Sequence, residues 1–411
     1  MGKGMKILWL SHLVPYPPKG GVLQRSYYLL KELSKSHQVD LLAFSQKRLM
    51  RPLVPSLEEG LAEAKSHLSE FCHRVEFFDI PSERTAWTRR WLALKSLFTS
   101  YPYTLNWLLS REFHDRVKDL VAQEGYDYVH FDTISLAPYL TACGGMKTSL
   151  DHHNIESHML LRRSAKESSI MKKIYFWQEG KRLEKFEKYF CPRFSFNYTC
   201  SDLDGERLKS ISRESVVYTI PNGVDVNYFK PLTSKIRDKS MVFIGGLGWY
   251  PNVEAVKFLL DNIWPKVYSR YPDSTLDIVG SKPPDSIKQM AQKYNGVKVH
   301  GFVDDIIPLF DSAMCYVCPI KDGGGTKLKI LDALAMGKAI VADPIACEGI
   351  DVEDDVNVIF AESPDEYAEA ITRVFEDVEY RKKIQINARK LAADKYSYEK
   401  IGKQLADLYS R

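Results

Sequence analysis

The residues best suited to chemistry lie in three short stretches of the 411-residue chain. In CPIKDGGGTKLKILDALAMG an apolar run ends at Pro319, a glycine-rich turn follows at Gly323, Gly324 and Gly325, and a helical pattern begins near Thr326, which is placed to cap it. Glycines let a ligand approach the main chain, and the unpaired amides and dipole of a helix start attract phosphate. Lys327 adds a cation in the first turn, where the dipole alone disfavours one unless an anion is bound there. Asp332, further along the same helix, is placed to accept hydrogen bonds from the hydroxyls of a ribose. In LSHLVPYPPKGGVLQRSYYLLKEL, Gly20 and Gly21 precede a helix that carries Arg25, a second phosphate-friendly arrangement. In SLDHHNIESH an apolar run ends in Asp151, His152, His153 and Asn154. Side chains alternate along a strand, so at most one of the two histidines faces a ligand.

Several classes of protein are disfavoured by what these stretches lack. No GxGxxG with an acidic ribose partner follows the first strand, which argues against a nicotinamide enzyme, and no GxxxxGK[ST] points to a P-loop NTPase. No helical HExxH accompanies the paired histidines, so no metal and no cofactor are expected. The seven cysteines are odd in number and scattered. They read as reduced, and the single CxxC, Cys315 and Cys318, lies in an apolar run that reads as a buried strand.

The elements that must position these residues follow a strand, loop, helix rhythm. Seven candidate strands occupy the first half (KILWLSH, VDLLAFS, RVEFFDI, YDYVHFD, SLDHHN, SFNYTC, VVYTIP) and six the second (SMVFIGG, STLDIVG, VKVHGF, AMCYVCP, AIVADP, VNVIFA). Apolar strands separated by helices imply parallel sheets covered on both faces, here as two doubly wound domains. The turn-forming PNGVD and the polar stretch after it mark the boundary.

The net charge is +4, with the excess of Lys and Arg in the first half. Phosphorylated substrates or anionic lipid are therefore its natural partners, and nucleic acid is not expected. Two helical segments of that half, TAWTRRWLALKSLF and MKKIYFWQEGKRLEKFEKYF, mix basic residues with Trp, Phe and Tyr. The favoured reading packs the aromatics on the core with the charges in water, and peripheral membrane contact stays open as the second reading. The start MGKGMKILWLSH has no signal-peptide pattern, and no run approaches the ~20 apolar residues of a membrane span. A cytoplasmic placement is expected, with the inner face of the cell membrane as the peripheral option.

Taken in order, PPKGGVLQR, DHHNIES, PNGVD, GGLGWYPN, GFVDD and GGGTKLKILDALAMG resemble glycosyltransferase family 4, in particular its bacterial polysaccharide-associated branch. The resemblance covers nearly the whole chain and implies the GT-B fold, with two Rossmann-like domains facing across a cleft and the final helix returning to the N-terminal one. The implied N-terminal acceptor domain runs over 1–218 plus about 396–411, and the donor domain over 219–395. The implied activity is retaining, metal-independent transfer from a UDP- or GDP-sugar to a saccharide or lipid-linked acceptor in cell-surface polysaccharide or glycoconjugate synthesis. The leaving phosphate itself would help remove the acceptor's proton.

Carried over residue by residue, the resemblance makes His153, Lys327 and Gly21 the catalytic set. It assigns the donor to Phe302, Val303, Gly324, Gly325, Thr326, Leu328 and Asp332, and the residue reading adds Gly20, Arg25 and Gly323, with Asn222, Gly245 and Gly246 completing the expected donor set. Two departures stand out. Gly324 occupies the first acidic position of the family's paired-acid pattern, and GGLGWYPN carries no base where many members have an Arg and a Lys, so Lys327 is expected to supply that charge. A non-hydrolysing sugar-nucleotide epimerase and a catalytically inactive donor-binding scaffold are the alternatives.

Overall fold

The computed structural model describes residues 4–18, 21–51, 54, 56–83, 85–96, 98–99, 101–232, 236–323 and 325–410. Gly20 and Gly324 lie outside them. The chain forms two compact units, Met1–Pro221 with Ile401–Arg411, and Asn222–Lys400.

The first unit is built on strands β1 (Lys6–Ser11), β2 (Gln38–Ser45), β3 (Arg74–Asp79), β4 (Tyr128–Phe131), β5 (Lys147–His152), β6 (Phe196–Thr199) and β7 (Val217–Thr219). They lie in the order β3-β2-β1-β4-β5-β6-β7, and every neighbouring pair is parallel. Both faces are covered. Ile7 and Trp9 enter one buried cluster, and Leu8 and Leu10, pointing the other way, enter a second. The final helix, Tyr398–Tyr409, sends Ile401, Leu405 and Tyr409 into the first of these clusters. Tyr409 Oη lies 2.6 Å from His130 Nδ1 and 2.8 Å from Ser149 Oγ. Gly402 is required there, because a Cβ would run into the Glu32 side chain.

The second unit carries β8 (Ser240–Ile244), β9 (Thr275–Val279), β10 (Val297–Gly301), β11 (Cys315–Cys318), β12 (Ala339–Ala342) and β13 (Ile359–Phe360). Their order is β10-β9-β8-β11-β12-β13, again wholly parallel. All thirteen strands read from the sequence are present, and the seven cysteines are unpaired and buried.

In each unit the chain winds outward from one strand and then returns to begin again on that strand's other side. The reversals fall between β1 and β4 and between β8 and β11. Loops leaving the carboxyl ends of the strands diverge at such a point and leave a crevice, which is where doubly wound sheets bind ligands. No helix among the described residues is long and apolar enough to cross a membrane.

Candidate functional site

The loop after β8 and the turn after β11 meet at the second unit's reversal point. Gly245 and Gly246 leave β8, and Trp249 caps the helix Tyr250–Phe258. Gly323 has φ +100°, a conformation open to glycine but strained for other residues, and a Cβ on it would lie 2.7 Å from the Trp249 ring. The two segments are therefore in contact through a position that no larger residue can fill. Tyr250 Oη donates to Asp322 Oδ2 at 2.8 Å across the same junction.

Two expectations about this turn change. The helix that follows is Leu328–Ala335, and its cap residue is Lys327 rather than Thr326. Thr326 Oγ1 is buried with no hydrogen-bond partner among the described residues. Lys327 is almost fully buried, and its Nζ donates to Gly323 O at 2.6 Å, so its ammonium ties the glycine turn together from within.

The cation beside the β8 loop is Lys329, which the motif reading passed over. Its Nζ donates to Asn252 Oδ1 at 2.7 Å, and Asn252 Nδ2 donates to Gly246 O at 2.8 Å. A Cβ on Gly245 would lie 2.9 Å from the same Nζ. Residues 327 and 329 point to different sides of the chain just where the helix begins, so neighbours in sequence serve different loops. Burial holds the Lys329 ammonium below its usual pKa, opposed by the nearby Cys318 thiol and Asp332 carboxylate. The sequence signal, the bare GGLGWYPN loop, had pointed to Lys327 instead, two residues earlier in the chain.

Asp332 stands one helical turn beyond Lys329. Desolvation pushes its carboxyl up to about 8, only partly offset by Lys329. Tyr228, half-exposed, has its phenol pushed up by burial and then by Asp305 and Asp332, which places all three in one neighbourhood. Phe302 is exposed and Val303 half-buried just past β10, two strands out from β8 and on the same carboxyl side. Gly325 follows the turn with φ +71°, Leu328 opens the helix, and Asn222 is buried at the start of the unit.

In the first unit Gly21 opens the helix Gly21–Leu33. Arg25 does not present its charge to a phosphate. It is almost fully buried, with Nε and Nη2 each 2.8 Å from the two Asp151 oxygens and Nη1 2.9 Å from Pro221 O. Its guanidinium fork matches the carboxylate, and that pairing occupies the residue. Asp151, held below the usual carboxylate range by Arg25 against the cost of burial, is thereby closed as a nucleophile.

His152 turns back into the sheet toward Asn197 Oδ1 at 3.1 Å. His153, past the strand end, lies with Nε2 3.1 Å from Asp132 Oδ1. Burial lowers the pKa of the His153 ring, but the Asp132 charge and hydrogen bond outweigh it and leave the net shift upward. Asp132 is fully buried at the end of β4. It also accepts from Ser11 Oγ at 2.9 Å, from Ser26 Oγ at 3.0 Å, and from His12 Nδ1 at 3.1 Å. Imidazole and carboxylate atoms of His12, Asp132 and His153 lie within 4.8 Å of one another, and the hydrogen bonds named account for them. Neither His12 nor Asp132 was singled out from the sequence, because each is a lone residue on its own strand end.

The two aromatic segments also differ from the favoured reading. On the helix Ala86–Ser96 and just after it, Trp87 (73% exposed), Trp91, Leu94 and Phe98 (86%) follow one another at steps of four, three and four, all outward. A groove of about 750 Å³ runs beside them, lined by Pro81, Trp87, Trp91, Leu92, Phe98 and Tyr101. On the helix Ile170–Phe190, Ile170, Ile174 and Trp177 form a second outward stripe, while Leu183, Phe186 and Phe190 pack inward. Arg182 of this helix donates to Ser96 O at 2.7 Å and to Thr99 O, which clasps the two segments together.

Two parallel-sheet Rossmann-like units of seven and six strands define the GT-B class of glycosyltransferase fold. Residues 238–377, which include both loops of the second unit's site, match the family model of the group 1 glycosyl transferases, and together these support a glycosyltransferase. The chain is similar to an uncharacterized 44.6 kDa protein in the cps region of Klebsiella pneumoniae, 23% identical over 96% of this chain and 97% of that one. A phosphatidyl-myo-inositol mannosyltransferase of Mycobacterium tuberculosis is 31% identical over 31% of this chain and 34% of its own. Among solved structures, a sucrose-phosphate synthase from Thermosynechococcus elongatus superposes with TM-score 0.71 at 17% identity, over 98% of both chains. Anabaena Alr3699/HepE in complex with UDP-glucose gives 0.66 at 18%, over 99% of both.

Proposed function

We propose that the chain is a retaining, metal-independent glycosyltransferase of family 4 that takes a UDP- or GDP-sugar as donor and a saccharide or lipid-linked molecule as acceptor in cell-surface polysaccharide or glycoconjugate synthesis. The observation that carries this reading is the meeting of two glycine loops, one at Gly245 and Gly246 and one at Gly323 and Gly325, at the reversal point of the second unit, with Lys329 against the first and Lys327 inside the second. In this reading main-chain amides and Lys329 hold the diphosphate, Asp332 the ribose, and Phe302 the base. Departure of a nucleoside diphosphate concentrates negative charge on its phosphates, and preorganised amides with a cation stabilise that charge as it develops. His153, hydrogen-bonded to Asp132, orients the sugar. Asp151, tied to Arg25, is not poised as a nucleophile, which favours same-face substitution over double displacement.

The test is a thermal-shift panel of UDP-glucose, UDP-galactose, UDP-N-acetylglucosamine and GDP-mannose, followed by product analysis with the donor alone. Selective stabilisation by one donor, with slow release of free nucleotide, is the expected result. Conversion of the donor into its epimer would move the assignment to an epimerase. Binding with no turnover would make the chain a scaffold.

Peripheral contact with an anionic membrane is part of the proposal. The outward stripes Trp87–Phe98 and Ile170–Trp177 carry Arg90, Lys95, Lys172 and Lys173 beside them, a combination that suits an anionic lipid surface. The expected result is sedimentation of the protein with phosphatidylglycerol vesicles, reduced at least tenfold in a Trp87→Ser/Trp91→Ser double variant. A wild-type chain that stays in the supernatant with those vesicles at low salt, or that hides the stripes in a dimer, refutes it.

A further inference from the structure

The groove beside Trp87 and Trp91 begins at a strand end. Pro81 and Ser82 leave the carboxyl end of β3, the edge strand of the first unit's sheet, and form one side of it. The helix Ala86–Ser96 forms the second side, and Thr99, Tyr101 and Asn106 close the third. Carboxyl ends of parallel strands are where doubly wound sheets gather their ligands. The third side is fixed by a buried ion pair of the helix Ile170–Phe190. Glu179, 2% exposed, accepts from Tyr103 N at 2.7 Å and from Arg182 Nη1 at 2.8 Å. Arg182 in turn donates to Ser96 O at 2.7 Å and to Tyr101 O at 3.0 Å. The groove is therefore preformed, as small-molecule sites usually are.

Its polar side chains are engaged within the protein. Ser82 Oγ donates to Trp107 O at 2.8 Å, Thr88 Oγ1 to Thr85 O at 2.8 Å, and Thr99 Oγ1 to Tyr101 O at 3.1 Å. Asn106 Nδ2 donates to Tyr101 O at 2.8 Å and to Ser96 Oγ at 3.0 Å. What remains for a ligand is apolar: Pro81, Leu92, Leu109 and the rings of Trp87, Trp91 and Phe98. A sugar or a nucleotide would leave its hydroxyls and phosphate oxygens without partners there, whereas a hydrocarbon chain has none to satisfy. The volume of about 750 Å³ lies within the roughly 300–1,000 Å³ of pockets that enclose one small ligand. Lys95 is the only charged residue among the described lining. It is exposed, its Nζ lies 4.9 Å from the Trp91 ring centre, and it has no carboxylate partner among the described residues. An aromatic-walled slot with one exposed cation matches a chain that ends in an anion.

We propose that this groove holds the hydrocarbon chain of the acceptor, a single-chain lipid phosphate whose anionic head lies against Lys95. The proposal rests on the transferase reading above and narrows its acceptor, a saccharide or lipid-linked molecule, to the lipid-linked kind. It differs from contact with a bilayer, in which the outward rings enter a lipid surface and no single molecule is enclosed. Here one chain is enclosed, each methylene that leaves water adds to the affinity, and the phosphate with whatever it carries stays outside.

The experiment titrates hexyl, octyl and decyl phosphate, each below the concentration at which it forms micelles, into the full chain by isothermal calorimetry. Affinity is expected to rise about three- to fourfold for each methylene added. Leu109→Glu, which sets a carboxylate in the groove wall at a position 39% exposed, is expected to weaken decyl phosphate about tenfold. Lys95→Gln is expected to weaken it roughly threefold and to leave the uncharged decyl maltoside unchanged. Melting temperature and binding of the donor selected by the thermal-shift panel should not change in either variant. Affinity that ignores chain length, or decyl phosphate binding untouched by both substitutions, overturns the proposal. So does a chain that attaches to phosphatidylglycerol vesicles but takes no monomeric alkyl phosphate, or a dimer, seen by sedimentation velocity, that excludes decyl phosphate. Each of those results leaves the transferase reading intact if a nucleotide sugar still binds. Alkyl phosphate binding by a chain that no nucleotide sugar stabilises removes the acceptor role and the transferase reading together.

Discussion

Arg25→Ala is expected to destabilise the first unit by about 3–5 kcal/mol, the cost of leaving one partner of a buried ion pair uncompensated. Arg25 and Asp151 are each 1% exposed, and the guanidinium makes two 2.8 Å contacts to the carboxylate and a third to Pro221 O. Removing it strands a buried carboxylate and takes a donor from the Pro221 carbonyl. For a unit of this size the melting temperature should fall by roughly 6–20 °C. The pair also has a pH signature. Asp151 is held below its unfolded value, so its contribution is present above about pH 4 and is lost as the pH falls further toward the folded value. Arg25→Met with Asp151→Leu should be more stable than either single change, because two apolar side chains demand no solvation. An Arg25→Ala protein with a wild-type melting temperature and weakened nucleotide binding would instead return Arg25 to the phosphate.

Lys329→Ala is expected to raise the dissociation constant for UDP or GDP at least tenfold, about 1.4 kcal/mol, with little change in melting temperature. Its ammonium lies against Gly245 and is already partly desolvated, so the folded protein gains little from the charge until an anion arrives. Lys327→Ala is expected to weaken the nucleotide by at least the same factor for another reason. Loss of the tie to Gly323 O leaves a buried carbonyl without its donor and lets the turn relax, which costs about 1–3 kcal/mol of stability. Isothermal titration and melting curves on both variants separate the two: affinity alone should fall for residue 329, affinity and stability together for residue 327. Unchanged nucleotide binding in Lys329→Ala would remove that lysine from the site.

In both glycine loops a side chain engages a main-chain carbonyl. A phosphate-binding turn needs amides that point outward and carbonyls that do not. Lys327 draws the Gly323 carbonyl inward, and Asn252 draws the Gly246 carbonyl aside while presenting its own oxygen to Lys329. One carbonyl of each loop is thus engaged by a side chain of the protein itself.

The parallel architecture was legible from the amino-acid order alone, because β-strands covered on both faces must be apolar throughout and the intervening helices amphipathic. Thirteen such runs, in two series, leave few other ways to bury them. The glycine turn after β11 was legible for a similar reason: Gly323 and Gly325 adopt left-handed backbone conformations that disfavour other residues. Which charged side chain serves which loop was not legible. Arg25 and Lys327 look like anion ligands by position, yet the first is claimed by a carboxylate 126 residues away and the second by a carbonyl four residues back. Lys329 and His12 look ordinary by position and are brought beside Gly245 and Asp132 only when strands distant in sequence become neighbours. Apolar periodicity is a property of each segment and survives in the sequence, whereas the partner of a charge depends on where the sheet crossings put it, so only the tertiary structure could decide it.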